Sequence, residues 1–217
     1  MDLGLRAHRV PESWHTRFGK RCFDIALVLL LAPLWVPLLL LVMLLVRLKL
    51  GSPVFFVQKR GGFLCAPFEL FKLRSMTNER NGQGELLADE ARLTRFGRFL
   101  RNSSLDELPS LFNVLKGQMS LVGPRPFVFQ YMAIYPEHVR RRHDAKPGIT
   151  GWSQINGRNA ISWEEKFELD LWYVDNLSFW LDLKILFATL KKVVRRQDIS
   201  SEGSATMDYY LGENSEK

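Results

Sequence analysis

From Ile25 to Val46 the chain reads IALVLLLAPLWVPLLLLVMLLV, 22 residues with no charge and one hydrogen-bonding side chain, the indole of Trp35. Beyond it, SPVFFVQKRGG and PFELFKLRSM are short runs rich in β-branched and aromatic residues, separated by glycines and a proline, a pattern that predicts a β-hairpin. Residues 77–92 start polar and glycine-containing, then take helical spacing through Leu86, Leu87, Ala91 and Leu93, so a loop should run into a helix there. A second helix is predicted over Leu105–Leu115, a loop-rich stretch over 136–157 and a third helix over Trp163–Val174.

In residues 177–196, Phe179, Trp180, Leu183, Leu186, Phe187, Leu190 and Val194 recur at helical spacing, while Asp182, Lys184, Lys191, Lys192, Arg195 and Arg196 take the other faces or the end. Such a helix can pack on a core and leave its basic end in solvent. It can also lie in a headgroup layer, where each Lys or Arg near an anionic surface contributes about 1 kcal/mol. The tail from Ser200 to Lys217 is polar and is expected to be mobile.

The long apolar run implies membrane contact. At about 1.5 Å per residue, a straight helix of that length crosses a hydrocarbon core of roughly 30 Å. It does not resemble a secretory signal: the run is too long, Asp2, Glu12 and Asp24 precede it, and no small-residue cleavage site follows. Arg17, Lys20 and Arg21 flank one end and Arg47, Lys49, Lys59 and Arg60 the other, so both ends read as cytoplasmic. Pro33 and Pro37 each remove a backbone donor and crowd the carbonyl four residues back, which favours a bend. A bent helix that enters and leaves by one face fits both facts. Proline is also tolerated in ordinary kinked crossing helices, and the residues alone leave the two forms open.

With 217 residues, one globular domain plus an attachment segment is the expected organisation: an extension at 1–19, a membrane segment at 20–50, a globular domain at 51–199 and a tail at 200–217. The elements give an α+β fold. The net charge of +7 and pI near 9.6 call for an acidic partner, whether nucleic acid, anionic lipid or a phosphorylated small molecule. Cys22 and Cys65 have neither metal-ligand spacing nor a disulfide framework and read as apolar residues in a reducing compartment.

The stretch SSLDELPSLFNVLKGQMSLVGPRP, residues 103–126, sets two carboxylates side by side, Asp106 and Glu107. A helix starting at Ser103 or Ser104 would place one of them at capping-box spacing, with the other an ordinary first-turn acid. Neighbouring helical residues diverge by about 100°, so one cap cannot employ both. Around the pair lie Arg95, Arg98, Arg101 and Arg125, with Lys72 and Arg74 on the preceding predicted strand. Guanidinium forks bind phosphate oxygens, so a diphosphate would be held well here. A carboxylate among these cations is expected to stay ionised, fit to act as a nucleophile or to bind Mg²⁺, an ion that takes one or two carboxylates plus substrate phosphate oxygens. In Gly-Pro-Arg-Pro the two prolines restrict the backbone and would hold Arg125 in place. A nucleic-acid-binding surface gives no reason for an acidic pair among arginines, because a carboxylate repels phosphate unless a metal intervenes.

RNSSLDELPSLFNVLKGQMSLVGPRP, KPGITGWSQINGRN and WLDLKIL together resemble the bacterial sugar transferases, the monotopic polyprenol-phosphate phosphoglycosyl transferases, over roughly Lys20 to Arg196. GRNAISWEEKFELD is similar to the small members that transfer a phospho-bacillosamine. The resemblance implies a re-entrant membrane helix and a compact, mainly helical catalytic domain on the cytoplasmic face of the bacterial inner membrane, with interfacial amphipathic helices. It implies that Asp106 attacks the sugar-bearing phosphate of a UDP-sugar, releasing UMP, and that undecaprenyl phosphate then takes the phosphosugar. It also implies a partnering role for Glu107, a requirement for Mg²⁺ held at Asp106, phosphate contacts from Arg101 and Arg125, contact with inner-membrane lipid, and a product passed to downstream glycosyltransferases. The residues leave the sugar open among N,N'-diacetylbacillosamine, other N-acetylated deoxysugars, glucose, galactose and N-acetylglucosamine. Members commonly carry Ser-Pro at the helix break, whereas this chain has Ala32-Pro33 and an added Pro37. The hydroxyl that could satisfy a freed carbonyl is therefore missing.

Overall fold

A computed structural model describes residue 13, residues 15–157 and 161–195, and residues 210 and 212. Most of the predicted extension at 1–19 and tail at 200–217 lies outside the described residues. A π turn, His15–Gly19, leads into α1, Lys20–Leu30, and after a single non-helical residue, Leu31, α2 runs over Ala32–Leu50. The apolar run is thus two helices. The interruption falls just before Pro33, and α2 continues through Pro37, so only one of the two prolines marks the break. The donor that a serine at position 32 would supply comes from an indole instead: Trp35 Nε1 donates to the Val28 carbonyl at 2.9 Å.

On α2, Trp35, Leu39, Val42 and Val46 form one buried stripe, while Leu34 and Leu48, 72% and 73% exposed, typify the other faces. A helix that is apolar all round but buried along one stripe presents its remaining faces to a non-aqueous surrounding. It is the one described helix long and apolar enough to cross a membrane.

Both ends of this anchor are tied to the same body. Near the start, Asp24 is buried and accepts the Leu121 N–H at 3.1 Å, and Lys20 Nζ donates to Asp182 at 2.6 Å. At the far end, the guanidinium of Arg74 donates to the carbonyls of Leu50 and Ser52. Arg74 therefore closes the C-terminus of α2, where helical carbonyls lack intrahelical donors. It was expected to meet substrate phosphate, and it is instead buried beneath the anchor.

The predicted hairpin is present: β1, Phe55–Gly61, pairs antiparallel with β2, Pro67–Leu73, Lys72 lying opposite Phe56. Only one turn of the helix expected before residue 94 forms: α3, Asp89–Arg92, stops at an extended Leu93, after which Thr94 caps α4, Arg95–Asn102, by accepting the Gly97 N–H. Helix Leu105–Leu115 is also divided, into a 3₁₀ turn, Leu105–Glu107, and α5, Ser110–Leu115. Pro109 has no N–H for the Leu105 carbonyl, which accepts from Leu108 instead, three residues on.

β3, Ser120–Val122, pairs in parallel with β4, Gly148–Thr150, which falls inside the predicted loop-rich region, and the short pair is buried. A Cβ on Gly148 would come within 2.1 Å of the Gly123 nitrogen, so the close approach of these two segments requires glycine. After α6, Trp152–Ile155, come α7, Trp163–Asp175, and α8, Phe179–Arg195. Among the described residues a capping box forms at the start of α7, where Ser162 and Glu165 bond reciprocally, and not at Ser103 or Ser104, neither of which caps the acid-bearing turn.

The helix α8 has two apolar faces. Leu181 and Ile185 enter the core, while Trp180, Phe187 and Leu190 of the predicted stripe point outward. One core unites α1, α2, β2, β3, α7 and α8. A second, aromatic cluster gathers Phe127, Tyr131, Tyr135, Trp163 and Phe167 around Tyr210, whose N–H donates to the Tyr131 hydroxyl at 3.1 Å. At this position the tail is docked, contrary to the mobility expected of it.

Candidate active site

The acidic pair sits on the 3₁₀ turn after α4, and the backbone enters that turn through Ser104 in the left-handed region, φ 56°. A non-glycine residue held there is a local cost that the surrounding packing must sustain. The tight turn aims its two carboxylates differently. Glu107 Oε1 accepts both Lys72 Nζ at 2.6 Å, from β2, and Arg125 Nη2 at 3.1 Å, from the Gly-Pro-Arg-Pro loop after β3. Asp106, 8% exposed, has no hydrogen bond or ion pair among the described residues.

The two carboxyls consequently titrate in opposite directions. Burial pushes Asp106 up to about 6, outweighing Lys72, Arg101 and Arg125 nearby, with the charge of Glu107 pushing the same way. For Glu107 burial would also raise the value, but the contacts with Lys72 and Arg125 hold it down to about 2. Of the cations expected to keep the reactive acid ionised, Lys72 and Arg125 are engaged by Glu107. At neutral pH, Asp106 is still charged by about ten to one. A buried carboxylate with a raised pKa and free lone pairs is a stronger nucleophile than an ordinary surface acid.

A shallow cleft opens between β2, α5 and the β3–β4 pair, lined by Arg60, Lys72, Glu107, Ser110, Arg125 and Ile149 among others. Lys72, Glu107 and Arg125, all expected from sequence, are brought together here. Arg101 stands to one side with Nε 3.0 Å from Ser75 Oγ, close enough for its charge to act on Asp106. Arg60, read from sequence only as a flank of the membrane segment, proves to line the cleft; burial and the neighbouring Arg125 lower its pKa to about 10. Its position on the β1 strand, near the glycine pair that starts the turn, was the available signal. Three cations around one acid suit an anionic ligand with several oxygens. Among the described residues no group of three His, Cys, Asp or Glu could enclose a metal by itself. The unpartnered Asp106 does fit Mg²⁺, which retains several waters and binds through one or two carboxylates plus phosphate oxygens.

The model of the bacterial sugar transferase family matches residues 15–196. The chain belongs to this family. Similar to this sugar transferase is the uncharacterized sugar transferase EpsL of Bacillus subtilis (strain 168), 54% identical over 193 residues, 89% of this chain and 96% of that protein. The undecaprenyl-phosphate glucose phosphotransferase of Komagataeibacter xylinus is 41% identical over 201 residues, 86% of this chain and 38% of its own. The undecaprenyl-phosphate galactose phosphotransferase of Salmonella typhimurium (strain LT2) is 40% identical over 209 residues, 88% and 44% of the two chains. The sugar transferase spans less than half the length of these last two relatives.

Proposed function

We propose that this sugar transferase moves a sugar 1-phosphate from a UDP-sugar to undecaprenyl phosphate, releasing UMP. The observation that carries the reading is the division of labour in the acidic pair: Glu107 is neutralised by Lys72 and Arg125, and Asp106 is buried beside it without a partner. An Asp106 carboxylate oxygen attacks the sugar-bearing phosphorus, the bond to the bridging oxygen breaks, and UMP leaves with the electron pair. An oxygen of undecaprenyl phosphate then attacks the same phosphorus, giving the sugar diphospholipid and returning Asp106 as a carboxylate. Lys72, Arg125 and Arg60 bind and orient the diphosphate in the cleft, and Glu107 keeps the first two in register. Mg²⁺ bound at Asp106 and the phosphate oxygens would offset the charge of the diphosphate.

The relatives' names support the acceptor and the donor class, and they differ in the sugar: glucose, galactose and N-acetylgalactosamine. The donor we favour is UDP-N,N'-diacetylbacillosamine or a related N-acetylated deoxysugar, on the resemblance of the sequence around α7. For the membrane segment we favour the re-entrant form on the cytoplasmic face. Lys20 and Asp24 at its start and Leu50 at its end all bond to one body, and a crossing helix of that length would separate them by a bilayer. The outward Trp180, Phe187 and Leu190 of α8 would rest in the headgroup layer.

Purified enzyme given Mg²⁺ and a panel of UDP-sugars without lipid should gain the mass of one phosphosugar with its preferred donor and release UMP. If no donor yields that adduct while turnover with lipid proceeds, the two-step route is wrong. Cysteine labelling at positions 20 and 47 should report one side of the membrane; opposite sides would establish a crossing helix.

A further inference from the structure

Pro124 and Pro126 have no N–H, so the loop that presents Arg125 is poor in backbone donors and is held largely through its carbonyls. Four successive ones are taken. The Pro124 carbonyl accepts from the Gly148 N–H at 3.0 Å, that of Arg125 from Arg142 Nη2 at 2.6 Å, that of Pro126 from Arg60 Nη1 at 3.2 Å and that of Phe127 from the Gly61 N–H at 3.2 Å. Among these donors Arg142 is the buried charge, 1% exposed. Its Nε and Nη2 also reach Asp170 Oδ2 at 3.1 and 2.6 Å, and the other Asp170 oxygen accepts from Ser153 Oγ at 2.8 Å. The guanidinium lies 4.3 Å from the centre of the Phe127 ring.

A fully desolvated ion pair seldom adds more stability than an apolar pair of the same size, so its presence here points to a role that needs charge and direction. From this geometry we infer that Arg142, oriented by Asp170, is a positioning residue that fixes the backbone of Arg125, so that the Arg125 side chain reaches Glu107 and the diphosphate in one place. The inference rests on the reading of Arg125 as a phosphate contact. The planar fork serves carboxylate and carbonyl together, which a lysine ammonium at the same place cannot match in direction.

The test is a double-mutant cycle read as the affinity of the full-length, detergent-solubilised enzyme for UDP with Mg²⁺. Arg142→Lys should weaken UDP binding about tenfold in the native background, as expected for a displaced ligand-binding group. In an Arg125→Ala background, itself weakened, the same change should cost less than about twofold, because its target is gone. A tenfold loss in both backgrounds would show that Arg142 acts otherwise and would overturn the inference while leaving the site intact. Arg125→Ala binding UDP as tightly as wild type would instead overturn the phosphate assignment, and the inference with it. Should Arg142→Lys lose cooperative melting, Asp170→Asn, which keeps the volume and removes the orienting charge, carries the same cycle with the same two readings.

Discussion

Two buried aspartates in this chain have opposite surroundings. Asp182, in the seam between α1, α7 and α8, is 1% exposed and fully engaged: Tyr173 donates to Oδ1 at 2.7 Å, Lys20 to Oδ2 at 2.6 Å, and His15 Nε2 lies 3.0 Å from Oδ2. Asp106, on the acidic turn, is nearly as buried and engaged by nothing among the described residues. Burial is therefore a poor guide to which carboxylate performs chemistry. A satisfied carboxylate fixes elements in place, here the membrane segment against the body, whereas an unsatisfied one retains the lone pairs that a reaction or a metal can use.

The comparison breaks hardest at Asp106. Asp106→Asn should lower turnover by on the order of 10³-fold or more, with no phosphosugar adduct by mass spectrometry, as for loss of a nucleophile. Its melting temperature at neutral pH should not fall, since a buried unpaired charge has been removed. Normal turnover would end the assignment. Asp182→Ala should do the reverse. Breaking a buried pair costs about 3–5 kcal/mol, which at this chain length lowers the melting temperature by about 10 °C, while activity per folded molecule stays within about threefold.

A smaller effect follows from titration. On the proposed route the reactive form of Asp106 is the ionised one, so activity should rise with pH through about 6 and stand about tenfold below its plateau at pH 5. Stability moves the other way. The contribution of Asp106, with its pKa raised from 3.8, is complete below that value and lost as pH rises through about 6. Glu107, lowered from 4.5, contributes above that value and loses its contribution as pH falls toward about 2. A pH–rate profile that stays flat from 5 to 8 while Asp106→Asn is inactive would place the raised pKa elsewhere.

How much of this was legible in the sequence depended on how local the cause was. The apolar run, the hairpin around Gly61 and Gly62, and the helices over α7 and α8 are fixed by periodicity within one segment, and all are present. The acidic pair and its cationic partners Lys72 and Arg125 could be picked out by type. Which acid the cations touch could not, because it depends on a 3₁₀ turn that Pro109 imposes and on a loop 18 residues away in the chain. Three-residue strands such as β3 and β4 carry too few positions for any alternation to register. Arg74 and Lys72 share a strand face by alternation, and only the end of α2 settles that one caps a helix while the other faces the cleft. Arg142 lies on a segment with no motif of its own, and Asp170 closes the stretch GRNAISWEEKFELD, where nothing local marks it as the partner of an arginine 28 residues earlier.

The smallest test concerns the break in the anchor. The Val28 carbonyl would receive the Ala32 N–H in an unbroken helix, and here it receives Trp35 Nε1. Trp35→Phe keeps most of the apolar contact, including the edge-on packing with Phe112, and removes that donor. The cost should be about 1 kcal/mol, a fall of about 2–4 °C in melting temperature, with turnover nearly unchanged. A serine at position 32 has its hydroxyl within reach of the carbonyl four residues back, so Ala32→Ser should restore most of that loss in the Trp35→Phe background and do little in the native one. Equal gains in both backgrounds would mean that the indole is not what satisfies the break. Rescue confined to the phenylalanine variant would show two side chains, three positions apart, serving as alternative donors to one carbonyl.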